Sequence, residues 1–196
     1  MWLPLRLTLS FLLLVGTCAH AAQDPGLGRY VHQRWLEAND APVPVVSIVQ
    51  GQDGFIWLAT GDGLFRFDGI RFERLDAELA VHNGAPSALL ATRSGDIWVS
   101  FETSHRFGVY RDGALRLLDG PPAPDRVVSM AEGEDGAVWA LTANYNAQIV
   151  RLKHGATRVF DARDGLPESN ASHVLVAGDG TLWVSGSEGP AWLRPG

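Results

Sequence analysis

The chain has 196 residues, of which 46% are apolar and 19% charged, a balance that supports a folded core and excludes an intrinsically disordered chain. Sixteen Lys and Arg stand against 22 Asp and Glu, so the formal charge of −6 leaves no basic footprint for gripping nucleic acid. Twenty-two Gly and 11 Pro imply many turns, which favours short strands over long helices.

Residues 1–21 read as a secretory signal: Arg6 precedes an apolar run from Leu7 to Gly16, and Ala19-His20-Ala21 has small residues at the two positions a signal peptidase reads. The run is too short to cross a bilayer as a helix. Cleavage after Ala21 removes Cys18, the single cysteine, so residues 22–196 can form no disulfide. Export without cysteine fits a bacterial periplasmic protein better than a small eukaryotic secreted domain.

Next comes a candidate strand over Arg29–Trp35, which stands ahead of the first repeat with no partner strands of its own. The repeat itself is marked by tryptophan. Trp57, Trp98, Trp139 and Trp183 are spaced by 41, 41 and 44 residues, and each closes the same motif of Gly, any residue, a branched aliphatic, then Trp, opening at Gly54, Gly95, Gly136 and Gly180. Between these landmarks each unit breaks into runs of four to six residues bounded by Gly, too short for a helical solenoid. The first unit divides into strands at Val45–Gln50, Phe55–Thr60, Leu64–Phe67 and Ile70–Leu75. The Trp strand is apolar throughout, as a strand covered on both faces requires, while Ile70 and Phe72 alternate with Arg71 and Glu73 as on an outer strand.

The second and third units repeat this order, and the fourth stops after three strands. Four-stranded antiparallel meanders of about 42 residues are the blades of a β-propeller. The expected fold is therefore all-β, a partial propeller over residues 22–196 with three complete blades and part of a fourth. Each Trp is expected to fill the gap between adjacent blades.

The segment from Gly51 through Trp57 and Gly63-Leu64 to Asp68-Gly69, with Tyr30 and Trp35 before it and Asp164-Gly-Leu-Pro167 ahead of the fourth unit, resembles the two-component regulator propeller repeat. The likeness covers about residues 29–194. Units two and three keep the Gly and Trp but replace the Gly-Leu that opens the third strand with Glu102–Phe107 and Ala143–Gln148. The resemblance implies the periplasmic sensor region of a bacterial receptor that signals through a histidine kinase or diguanylate cyclase, with membrane attachment through segments beyond this chain. It also implies a periplasmic ligand, with a carbohydrate as the class it suggests, and either further blades or another copy of the chain as partner.

The hairpins between the first and second and between the third and fourth strands of each unit are short and uniform. The connections on the opposite face vary, and variable loops on one face of a repeat scaffold are where binding resides. His105, Arg106, Asn144, Tyr145 and Asn146 lie there, with hydrogen-bonding and stacking groups suited to a polar ligand. They are also what an ordinary solvated loop contains. No nucleophile elbow or phosphate loop occurs, and the six His lack His-x-x-x-His spacing, so no catalytic residue, metal or cofactor is expected in this chain. Two rivals remain. A propeller lyase or hydrolase needs acids or bases on the innermost strands, where only Glu132 and His173 qualify. A structural protein would assemble through its exposed end blades.

Overall fold

The computed structural model describes residues 31–194 with the exception of Asp76 and Asn144. The signal segment and the Asn144 position therefore lie outside the described residues. From Trp35 onward the chain builds four antiparallel sheets in sequence order. The first contains β1 (Val45–Gln50), β2 (Ile56–Thr60), β3 (Gly63–Phe67) and β4 (Phe72–Arg74). The second holds β5 (Pro86–Ala91), β6 (Ile97–Phe101), β7 (Phe107–Arg111) and β8 (Ala114–Leu117). The third holds β9 (Val127–Glu132), β10 (Val138–Thr142), β11 (Ile149–Lys153) and β12 (Ala156–Phe160). The fourth has β13 (Ala171–Val176), β14 (Leu182–Gly186) and β15 (Gly189–Leu193). These are propeller blades, three of four strands and one of three. Their first strands meet in chain order, β1 with β5, β5 with β9 and β9 with β13.

The sequence explains the turns. Asp112-Gly113 and His154-Gly155 take positive φ at both residues, as two-residue hairpin turns matched to strand twist require. In the turns before β2, β10 and β14, the carboxylates of Asp53, Asp135 and Asp179 accept the amides of Phe55, Ala137 and Thr181, closing the same local loop three times.

Packing between blades follows the Trp rows. Trp57 is 1% exposed and lies in a cluster with Leu89, Ile97, Val99 and Phe101 of the next blade. Trp98 packs against the cluster that Val127, Val138 and Val150 build, and Trp139 against that of Val174, Leu182 and Val184. Both are half-buried rather than fully enclosed. Trp183 is 39% exposed, because among the described residues no blade follows it.

One expectation needs revision, and two features go beyond it. Of the expected strand over Arg29–Trp35, residues 31–35 form none, and residues 29 and 30 lie outside the described residues. The connection after β4 contains a short helix, α1 (Ala77–Asn83), ended by Gly84 at φ 79°. Each innermost strand also carries a bulge near its start, at Val46, Ser87, Val128 and Ser172.

Candidate functional site

The bulges mark the base of the loop face. Just beyond each one, an amide from the connection after the second strand donates to the carbonyl that precedes the first strand. Gly61 bonds Pro44 at 3.2 Å, Glu102 bonds Ala85 at 2.9 Å, Ala143 bonds Arg126 at 2.8 Å and Ser187 bonds Asn170 at 2.9 Å. Buried hydroxyls brace the same connections, Thr60 Oγ1 donating to the Gly63 carbonyl at 3.0 Å and Thr142 Oγ1 to that of Gln148 at 3.2 Å.

On this base the sequence-selected residues divide into two kinds. His105 and Arg106 are half-buried and hold the loop together. His105 adopts φ 54°, its amide donates to the Phe101 carbonyl at 3.1 Å, and its own carbonyl accepts the Ala123 amide at 2.8 Å. Arg106 donates from Nη2 to the Leu118 carbonyl at 3.0 Å. Tyr145, by contrast, is 83% exposed, and Asn146 beside it is exposed too.

The segment 119–126 links the two loops. Its Ala123 is tied to His105, the carbonyl of Arg126 takes the Ala143 amide, and Arg126 Nε lies 4.0 Å from Glu102 Oε1. The structure thus places His105 and Arg106 at the foot of one loop and Tyr145 and Asn146 at the surface of the next. The Glu102–Arg126 pair was missed in the sequence, where the two residues are 24 apart with no shared motif.

The two innermost-strand candidates have other occupations. Glu132 Oε2 accepts the Arg93 backbone amide at 2.8 Å and lies 3.3 Å from Arg93 Nε, while Arg93 Nη2 also donates to the Gly133 carbonyl. It clamps the second blade to the third. His173 is exposed on β13, with Nδ1 3.2 Å from Ser172 Oγ.

Charged groups with displaced pKa values concentrate on the hairpin side. Asp135 is held well below the usual carboxylate range, first by the Lys153 ammonium at 2.7 Å and then by the Ala137 amide, with Arg151 Nη2 adding a contact at 2.6 Å. Asp96 is lowered chiefly by Arg111, whose Nε lies 2.7 Å from Oδ1 and whose Nη2 bonds Oδ2, with the Ser94 hydroxyl assisting. Asp68 and Asp179 are lowered by backbone amides of their own turns. Two interblade clefts open here, one of about 610 Å³ between Trp139, Phe160 and Leu193, the other of about 550 Å³ between Trp57, Arg66 and Tyr110. Among the described residues no group of three or more His, Cys, Asp and Glu is placed to hold a metal.

No family model matches the sequence, and no curated protein is similar to it in sequence. Solved structures do share the fold. The extracellular domains of two Bacteroides thetaiotaomicron hybrid two-component systems superpose with TM-scores of 0.63 and 0.61 at 21% and 16% identity, each over 77% of this chain. Catalytically inactive virginiamycin B lyase from Staphylococcus aureus, with quinupristin, matches with a TM-score of 0.58 at 21% identity over 77% of this chain. The chain spans 20% and 22% of the two sensor domains and 55% of the lyase. At such identities the shared feature is the propeller fold.

Proposed function

We propose that this chain is an exported ligand-sensing propeller segment of a bacterial signalling receptor, and that it takes a polar ligand, with carbohydrate as the favoured class, on its loop face. The observation that carries the reading is the contrast between a rigid base and an exposed tip. Four equivalent backbone bonds fix the loop bases, and one strap joins two neighbouring loops, whereas Tyr145 and Asn146 stand free to stack on and hydrogen-bond a ligand. Asp135 and Asp96 do line the two interblade clefts, but each is held there in ion pairs, with Lys153 and Arg151 and with Arg111, so neither is an uncommitted acid or base, which suits sensing. The fold likeness to extracellular domains of two-component systems supports the same reading, with export through residues 1–21 and output through a kinase or cyclase elsewhere in the receptor. No helix among the described residues is long and apolar enough to cross a membrane.

The test is thermal unfolding of the full chain against a panel of neutral oligosaccharides. A binding partner raises the melting temperature saturably, and Tyr145→Ala should abolish that rise while leaving the unliganded melting temperature unchanged. No shift with any sugar in the panel would remove the carbohydrate assignment, and a shift indifferent to Tyr145→Ala would move the site off this loop. Turnover of a bound compound would replace sensing with catalysis.

A further inference from the structure

The boundary between the first and second blades departs from what packing alone asks for. At the next boundary the residue paired with Trp98 on the third strand is Val109, and Leu152 packs with Trp98 against an apolar cluster. At the first boundary the same two positions hold Arg66, paired with Trp57, and Tyr110, whose ring meets the indole. Polar side chains thus stand where two sheets meet, and the cleft of about 550 Å³ opens between them on the hairpin side. Turns of both blades rim it, bringing Asp53 from the first and Asp112 from the second.

Two buried donors of the residues that line this cleft have no partner among the described residues. Trp57 is almost wholly enclosed, yet its Nε1 makes no hydrogen bond, and neither does Nε of Arg66. The indole nitrogen sits against the turn that carries Asp53, since a Cβ on Gly51 would lie 3.0 Å from it. The Arg66 guanidinium is held over the Phe55 ring at 4.5 Å and donates from Nη2 to Glu73 Oε2 at 2.6 Å, which leaves Nε uncommitted. Buried donors are nearly always satisfied in folded proteins, so this pair calls for an acceptor that the chain does not supply.

The acids of the cleft present the complementary need. Asp96 is occupied by Arg111 and by the Ser94 hydroxyl. Asp53 and Asp112 are exposed at the rim and form no ion pair among the described residues, Asp53 giving one oxygen to the Phe55 amide. Asp53 is also close enough to Arg66 for their charges to interact, so the unmet donors and the unmet carboxylates lie within the span of one small molecule. A simple anion would satisfy the donors and be repelled by the two carboxylates. A simple cation would do the reverse, and a neutral polyol would leave both charges unmatched.

We infer that this cleft binds a free α-amino acid in its zwitterionic form. The ligand carboxylate accepts from Arg66 Nε and Trp57 Nε1, its ammonium group meets Asp53 and Asp112, and its side chain lies beside Tyr110. Charge-assisted contacts at both ends select the zwitterion over an amide or an acylated amine. The volume lies within the range of small-molecule sites and leaves room for a side chain. This site is separate from the loop face that carries Tyr145, and it stands whether or not that face takes a carbohydrate.

The experiment is thermal unfolding and calorimetric titration of the full chain with each of the common L-amino acids. At least one should raise the melting temperature saturably, and its primary amide and its N-acetyl derivative should each bind about ten-fold more weakly or worse. Asp112→Asn, at an exposed turn position whose φ of 51° Asn also adopts, should weaken binding by a similar factor without moving the unliganded melting temperature. Arg66→Gln should lower the affinity likewise, and Tyr145→Ala should leave it unchanged, so failure of the loop-face site and failure of this one give different results. No shift with any amino acid overturns the inference. Equal binding of the amide overturns the carboxylate contact, and an affinity indifferent to both Asp112→Asn and Arg66→Gln puts the ligand outside this cleft and overturns the assignment.

Discussion

Trp57 and Tyr110 meet ring to ring across the boundary between the first and second blades, with centroids 4.7 Å apart and planes tilted by 59°. The pair locates the repeat's namesake residue in the space between sheets, where removing an indole leaves a void that the two blades cannot both close. Trp57→Ala should cost about 3–5 kcal/mol, Trp98→Ala and Trp139→Ala toward the lower end of that range because each keeps some exposure, and Trp183→Ala well under half as much because Trp183 is 39% exposed. Denaturant midpoints of the four variants check the order, and a Trp183→Ala loss equal to that of Trp57→Ala would contradict the weaker packing of Trp183.

The Asp96–Arg111 pair makes stability depend on acid. Asp96 is largely buried, and two contacts from one guanidinium fix it. Its pKa in the folded state is below the ordinary 3.8, so the contribution is present above that value and lost as pH falls through the lowered one. Asp96→Asn should cost roughly 1–2 kcal/mol at neutral pH. Urea titrations of both proteins should converge as the pH falls from above 3.8 through the lowered pKa of Asp96, and a gap that persists in acid would show that the loss is not electrostatic.

Much of this architecture is legible in the sequence, for reasons that differ by element. The second strand of each of the first three blades is covered on both faces and therefore apolar and marked by Trp, and the fourth keeps the same pattern, so β2, β6, β10 and β14 stand within one residue of their expected starts. Helix α1 carried a readable signal in Ala77-Glu78-Leu79-Ala80 followed by Asn83-Gly84, but its seven residues sit inside a connection that strand periodicity labels as loop. Residues 31–35 look like a strand because they precede the first unit where an outer strand would sit, whereas a ladder needs a neighbour that sequence does not supply. In the candidate site, Tyr145 could be placed on the loop face from its position between strands. The bond from Arg106 to the Leu118 carbonyl could not, since it depends on how the second blade's outer strand ends.

Two glycines at the same φ of 79° separate conformational cost from steric cost. At Gly155 a Cβ would meet nothing within 4 Å, while at Gly84 it would lie 2.2 Å from Thr103 Oγ1 and 3.0 Å from the Thr103 amide nitrogen. Gly155→Ala should lose about 1–2 kcal/mol, the cost of a left-handed backbone alone. Gly84→Ala should lose clearly more, and Gly84→Ala with Thr103→Gly should recover the difference in a thermal melt.

The clamp between blades two and three predicts coupling rather than a large single effect. Arg93 is mostly exposed and Glu132 mostly buried, so Glu132→Gln removes a sheltered charge while Arg93→Ala strands one. A double-mutant cycle on denaturant stability should return a coupling of about 0.5–1.5 kcal/mol. Additive losses would mean that the two side chains act independently.

The four backbone bonds at the foot of the loops have a consequence for how such a chain can vary. Each donor follows its acceptor by 17 residues, from Pro44 to Gly61 through to Asn170 to Ser187, even though the acceptors themselves are spaced by 41, 41 and 44. The longer last interval is absorbed between Ala143 and Asn170, outside the fixed interval. Length is conserved where it sets the angle between sheets and free where it does not, so ancestral insertions and deletions could reshape the loop face one connection at a time while the barrel of inner strands kept its register.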